Sequence, residues 1–239
     1  MRNYSTKPIP NSVMHEILTA ATRASTVGTM QLYSIVVTTD KQIRKELAPL
    51  HFNQPMLENA PAIVTFCADV NRFEQWCKQR DAAPHYQNFL WYVNAAIDTL
   101  LASQNFVLEA ENQGLGICYL GTTLYTADKI IDVLDLPRGV IPITTLAVGY
   151  PLDNEGAELT YRLPVEAIVH YDKYQNYSED KINELWADIE DSEQTKKLLE
   201  ENDLPNLAQI FTLKRYKKDD NELFTQKYMD VLRKQGFLK

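Results

Sequence analysis

The stretch from Tyr86 to Gln113 constrains this chain more than any other. Phe89, Leu90, Val93, Ile97, Leu100, Leu101, Val107 and Leu108 recur at helical spacing on nearly every side, which predicts a long helix lacking a polar face. Such a helix must be buried on several sides. Asn94, Asp98, Gln104, Asn105 and Glu109 interrupt the run, which therefore falls short of the roughly 18 nearly uncharged residues of a membrane span. No membrane-spanning segment is expected.

The rest of the composition agrees with a folded globular chain. At 239 residues it exceeds the common domain size of roughly 100 to 200, yet α/β folds of this length often remain one unit. Hydrophobic residues make up 45% and charged residues 23%, far from the composition of disordered chains. Met1 to Ile17 has no apolar run of the kind a secretory signal requires. Cys67, Cys77 and Cys118 are odd in number and widely spaced, which argues against a disulfide framework and suits a reducing cytoplasm. A formal charge of -8 opposes nucleic-acid phosphates, and the one basic cluster, Lys214, Arg215, Lys217 and Lys218, reads as a solvated patch.

Along the chain, Pro10, Asn11 and Ser12 open a first amphipathic helix carrying Val13, Ile17, Leu18, Ala21 and Ala24. A polar loop containing Ser25, Thr26, Gly28, Thr29 and Gln31 follows, then a strand from Leu32 to Val37, a charged helix from Lys41 to Leu50, and a buried strand from Ala62 to Ala68. After the long helix come a strand from Ile117 to Leu120, a helix from Ala127 to Leu134 and a strand from Ile141 to Val148. Beyond Pro151 only helices are expected, one capped by Ser178 and one carrying Leu223, Phe224, Tyr228, Val231 and Leu232. This is a mixed α/β core with a helical C-terminal extension.

The usual catalytic signatures are missing. Gly114, Gly116, Gly121, Gly139 and Gly149 crowd one region, but the first three miss the dinucleotide fingerprint spacing and follow a helix rather than a strand. No Walker A ending and no Gly-x-Ser-x-Gly elbow occurs, and His15, His51, His85 and His170 lie far apart in sequence and read as structural. The cysteines read as buried thiols, with no zinc-site spacing and no base beside Cys118. No metal and no nucleophile is assigned. A chain of this kind can still be an enzyme if a cofactor carries the reaction, and a flavin fits that description.

Several segments, in order, carry a family resemblance. They are Arg2-Asn3-Tyr4-Ser5, Pro8-Ile9-Pro10, Ala24-Ser25-Thr26 with Gln31, Gln54, Ala60-Pro61-Ala62, Phe66-Cys67-Ala68-Asp69 and Gln104-Asn105. Gly114-Leu115-Gly116, Tyr119-Leu120-Gly121, Leu136-Pro137, Val148-Gly149-Tyr150-Pro151 and Arg162-Leu163-Pro164 complete the set. Together they resemble the FMN-dependent nitroreductases, in particular the branch of oxygen-insensitive nitroreductases and flavin reductases. The resemblance implies an α+β fold with a central, mainly antiparallel sheet surrounded by helices, in which residues 1–165 form the FMN-binding core and 166–239 a helical extension of the same domain.

It also implies residue roles. Arg2 corresponds to the basic residue at the flavin pyrimidine edge, and Thr26, Val27, Gly28 and Thr29 to the loop along the flavin. Gln54 corresponds to the glutamine near the pyrimidine ring, able to donate and to accept. Tyr119, Leu120, Gly121 and Thr122 match the turn that runs beside the isoalloxazine, with a backbone N–H toward N5. Arg162 matches the arginine of the FMN phosphate, while Thr160 stands where a lysine is usual. The family motif begins upstream of Arg2, so either residues precede Met1 or the phosphate is held by fewer charge-assisted contacts.

The implied activity is a ping-pong hydride transfer from NADPH or NADH, through bound FMN, to nitroaromatics, quinones or flavins, with no side chain serving as catalytic acid. The implied assembly is a homodimer with the flavin site at the subunit interface. NADPH selectivity would have to come from Lys214 or Arg215, because 190–204 contains no arginine. The competing reading is a flavin-binding storage or sensing protein of low turnover on the same fold.

Overall fold

A computed structural model of the chain describes residues 2–152 and 160–239, so the chain start at Met1 lies outside the described residues. It divides into two compact units, one comprising Met1–Glu155 with Phe224–Lys239 and the other Gly156–Leu223.

The first unit is built on one antiparallel sheet of β1 (Tyr33–Thr38), β2 (Ala62–Asp69), β3 (Gly116–Leu120) and β4 (Val140–Gly149), in the order β1-β2-β4-β3. Both central strands, β2 and β4, are buried along their whole length, which explains why they read as near-continuous apolar runs. Side chains alternate across a strand, so the two faces feed different cores. Ala62, Val64 and Phe66 of β2 and Leu146 and Val148 of β4 pack against α1 (Asn11–Ala21) and α5 (Phe89–Asn112), where Met14, Ile17, Ala21, Phe106, Val107 and Ala110 meet them. Ile63 and Ala147, on the opposite face, meet Leu47 of α2 (Lys41–Leu47), Met56 and Leu57 of α3 (Met56–Asn59) and Ile130 of α6 (Ala127–Val133). The result is helices on both faces of an antiparallel sheet.

Two irregularities of the sheet follow from single residues. Pro142 has no N–H to give the ladder, and it sits where the register shifts: Phe66 pairs with Thr144 and Cys67 with Pro142, leaving Ile143 as the extra residue of a bulge. At Gly149 the proline ring of Pro61 comes so close that an added Cβ would lie 2.5 Å from its Cδ. Only glycine lets β4 reach Pro61 there.

Most boundaries fall within a residue or three of those expected, and the differences have local causes. The helix expected from Lys41 to Leu50 ends at Leu47, because Pro49 tightens the next residues, Ala48–His51, into a 3-10 turn. Helix α5 starts at Phe89 rather than Tyr86, since the Asn88 side chain accepts from Trp91 N and caps it. A short amphipathic helix, α4 (Asn71–Lys78), was not expected.

The larger correction concerns α5. Its buried residues are Ala95, Asp98, Thr99, Ala102, Ser103, Phe106, Val107 and Ala110, a single face with spacing of three and four. Phe89, Leu90, Ile97, Leu100, Leu101 and Leu108 are exposed instead of buried. Small side chains make up most of the face toward the sheet, where Phe106 and Val107 also enter the core, while these six large ones lie outside it. Burial on several sides is thus not achieved within one chain.

The second unit contains α7 (Glu179–Glu190), capped by Ser178 as expected, α8 (Glu193–Asn202), capped by Ser192, and α9 (Leu207–Gln209), which runs into a π-helical turn at Ile210–Arg215. Helix α10 (Lys218–Lys234) begins there, and from Phe224 onward it belongs to the first unit, where Val231 and Leu232 join Leu32, Ala68, Ala95 and Ile141 in a further core cluster. Among the described residues no helix is long and apolar enough to cross a membrane.

Replacing Gly149 by Ala forces the Pro61 contact apart. We expect a loss of about 1–3 kcal/mol, the usual cost of overpacking, in urea-induced unfolding. An unchanged midpoint would show that the β4–Pro61 approach is not tight.

Candidate functional site

Around the core on the α2/α3/α6 side of the sheet, three of the segments singled out in the sequence come together. Tyr4, Met56, Leu57 and Leu120 all belong to that one buried cluster. Tyr4 forms an isolated bridge with Pro151 and donates from its hydroxyl to Ala147 O at 3.1 Å, so the N-terminal segment carrying Arg2 is laid along the end of β4. Gln54 lies two residues before Met56, and Leu120 anchors the turn from Tyr119 to Thr122. Among the described residues neither the Arg2 guanidinium nor the Gln54 side-chain amide has a hydrogen-bond partner, and Gly121 has open space on its side-chain side.

The loop from Thr26 to Thr29 belongs to a different core, with Val27 packed against the cluster that includes Ala127 of α6. Its backbone is unusual: Gly28, Thr29 and Gln31 have φ of 52°, 59° and 51°. Thr26 Oγ1 accepts from Gln31 N at 2.8 Å, and Thr29 Oγ1 donates to Gly28 O at 2.7 Å, so both hydroxyls serve the loop itself. Tyr119 is partly exposed, with its hydroxyl 3.2 Å from Ser103 Oγ of α5; burial of the ring raises the phenol above its ordinary range, an effect opposed by the Ser103 bond. Thr160 and Arg162 belong to the second unit, where both are exposed and Arg162 Nη1 donates to Thr160 Oγ1 at 2.7 Å and to Tyr161 O at 2.9 Å.

A family model described as the nitroreductase family matches residues 1–150, the span that holds the whole sheet. The chain belongs to the nitroreductase family. It is 32% identical over 182 residues to the Bacillus subtilis (strain 168) protein named FMN reductase (NADPH), covering 75% of this chain and 72% of that one. Over 179 residues it is 32% identical to the oxygen-insensitive NADPH nitroreductase of Salmonella typhimurium, again covering 75% and 72%. A crystal structure from Bacteroides fragilis NCTC 9343 shares 47% identity and superposes with a TM-score of 0.97, covering 100% of this chain and 96% of that one.

The turn after β3 is held by His51, one of the histidines that the sequence marks as structural, with a partner that the sequence does not name. His51 is fully buried, and its Nδ1 lies 2.8 Å from Thr122 Oγ1, while Thr126 Oγ1 donates to Leu50 O at 2.8 Å. The turn after β3 and the segment leading to Gln54 are therefore latched together. His51 Nε2 is buried and has no hydrogen-bond partner among the described residues, whichever nitrogen carries the proton. Loss of hydration pushes the imidazole down to about 4, so the ring is neutral at ordinary pH. The sequence signal was weak, because a lone histidine beside Pro49 and Phe52 announces no partner 71 residues away.

The sign of the resulting pH dependence follows from linkage. The unfolded histidine takes up a proton near its ordinary 6.5 and the folded one only near 4, so the unfolded state binds more protons between these values and stability falls as pH drops through that window. The component is fully present above about pH 6.5, and about 3 kcal/mol of stability has been lost once pH is below both values. Urea unfolding at pH 7 and pH 4 should show the wild type losing more stability than His51→Leu. Equal losses would refute the assignment.

Proposed function

We propose that this chain is an FMN-dependent NAD(P)H oxidoreductase that reduces nitroaromatics, quinones or flavins, acting as a homodimer with the flavin site at the subunit interface. The observation that supports the reading is that Tyr4, Met56, Leu57 and Leu120, neighbours in sequence of Arg2, Gln54 and the turn from Tyr119 to Thr122, share one buried cluster, in a chain similar to enzymes named FMN reductase and nitroreductase. FMN, when bound, supplies hydride chemistry that no side chain of this site provides. The uncommitted groups fit such a ligand. Arg2 brings a cation to the pyrimidine edge, and Gln54 can donate and accept there. The loop Thr26, Val27, Gly28 and Thr29 lines the ring with backbone, since its hydroxyls are already engaged. The backbone N–H groups of Tyr119, Leu120, Gly121 and Thr122 serve the N5 edge, and Arg162 with Thr160 serves the phosphate.

The dimer is supported by α5, whose exposed Phe89, Leu90, Ile97, Leu100, Leu101 and Leu108 make an apolar stripe of the kind that marks an interface. A second copy covers such a stripe symmetrically. The division into a flavin-binding core at 1–165 and an extension at 166–239 is part of this proposal, as is a cytoplasmic setting, supported by three free cysteines. Either nicotinamide cofactor can serve as donor. Lys214 and Arg215 lie on the π-helical turn, with the Arg215 guanidinium 5.1 Å from the Phe211 ring centre, and are the groups available for a 2′-phosphate.

Titration of FMN into the purified chain, followed by NADPH or NADH and a quinone in the same cuvette, tests the reading. The expected result is a yellow complex that consumes the nicotinamide only when flavin and quinone are both present. A chain that binds no FMN, or a yellow one that oxidises neither donor, would overturn it. In the same titration Arg162→Ala should weaken FMN binding about 10- to 100-fold, the range for losing hydrogen bonds to a charged group.

A further inference from the structure

Helix α5 carries one charged residue on its buried face. Asp98 is 2% exposed and forms no ion pair among the described residues. A carboxylate in that position is costly unless donors meet it. Both of its oxygens are met, and by the same loop: Oδ1 accepts from Val27 N at 2.9 Å and Oδ2 from Leu32 N at 3.2 Å. These two amides bracket the left-handed residues Gly28, Thr29 and Gln31. Left-handed φ is rare for a β-branched residue such as Thr29, and it persists only where the surroundings fix it. Inside the bracket, Met30 N donates to Val27 O at 2.9 Å and Gln31 N to Thr26 Oγ1, while Arg72 donates to the Gln31 carbonyl from outside.

We propose that Asp98 is the positioning residue of the flavin site: its carboxylate, gripping Val27 N and Leu32 N, fixes the left-handed loop and thereby sets where Thr26, Val27, Gly28 and Thr29 lie against the cofactor. The inference rests on the FMN reading above for the loop's ligand, but the clamp itself belongs to this chain. Asp98 touches no reacting atom in this scheme. It acts through the loop, which is pre-formed before the cofactor arrives, so binding spends nothing on ordering it. Among the described residues Val27 N and Leu32 N bond to Asp98 alone, so the charge that interrupts the apolar helix satisfies two backbone donors.

Asp98→Asn is the informative change, because it keeps the shape and turns one acceptor into a donor that faces an N–H. Its FMN dissociation constant should rise at least about 10-fold, with an altered visible circular dichroism of the bound flavin. The control is Thr99→Ala on the same helix, a fully buried hydroxyl that donates to Ala95 O and does not touch the loop. It should lower thermal stability while leaving FMN affinity within twofold. Should Asp98→Asn fail to fold, amide hydrogen exchange on the wild-type chain without flavin decides: Val27 and Leu32 are expected to be protected. Unchanged affinity and dichroism in Asp98→Asn, an equal loss of FMN in Thr99→Ala, or unprotected Val27 and Leu32 amides would each overturn the clamp. Wild-type chain that takes up no FMN would instead sink the functional reading, with the exchange data still judging the clamp.

Discussion

The packing of α5 on the sheet is the constraint from which the rest of the molecule follows. One face of that helix, small and closely packed, supplies Phe106, Val107 and Ala110 to the main core, and the same face presents Asp98 to the Val27 loop and Ser103 to Tyr119. Fold and site thus share one beam. A shift of the helix would move the loop and the turn together, since both are bonded to it. The opposite face exposes Phe89, Leu90, Ile97, Leu100, Leu101 and Leu108, an apolar stripe that supports the proposed dimer.

The site has few charges and depends on backbone. Asp98 and His51 are both fully or nearly fully buried, and each spends its hydrogen bonding on a segment that carries proposed cofactor contacts. Buried polar groups of this sort raise the cost of any other arrangement, because moving the loop or the turn would strand a carboxylate or a hydroxyl without partners. Rigid placement of N–H groups is what a flavin site requires of its protein, with the chemistry left to the cofactor.

Much of the fold was legible because its strands are short, β-branched and bounded by Pro or Gly, and because Ser178 marks a helix start by capping, whereas the Asn88 cap of α5 was not read. The family-bearing segments were legible as well, being local runs such as Gly114-Leu115-Gly116. What escaped was long-range. Nothing in sequence links His51 to Thr122 or Asp98 to Val27, although a carboxylate inside an otherwise apolar helix, with no basic neighbour on its face, is itself a hint that the backbone will have to satisfy it. The pattern of α5 says that a surface wants covering, and hydrophobicity does not say whether its own chain or a second one covers it.

That distinction can be read directly by sedimentation velocity of the FMN-loaded protein, followed at a wavelength where only flavin absorbs. The account predicts that the flavin sediments at the mass of two chains, and that dilution releasing single chains also releases the flavin. Flavin sedimenting with a single chain would contradict it.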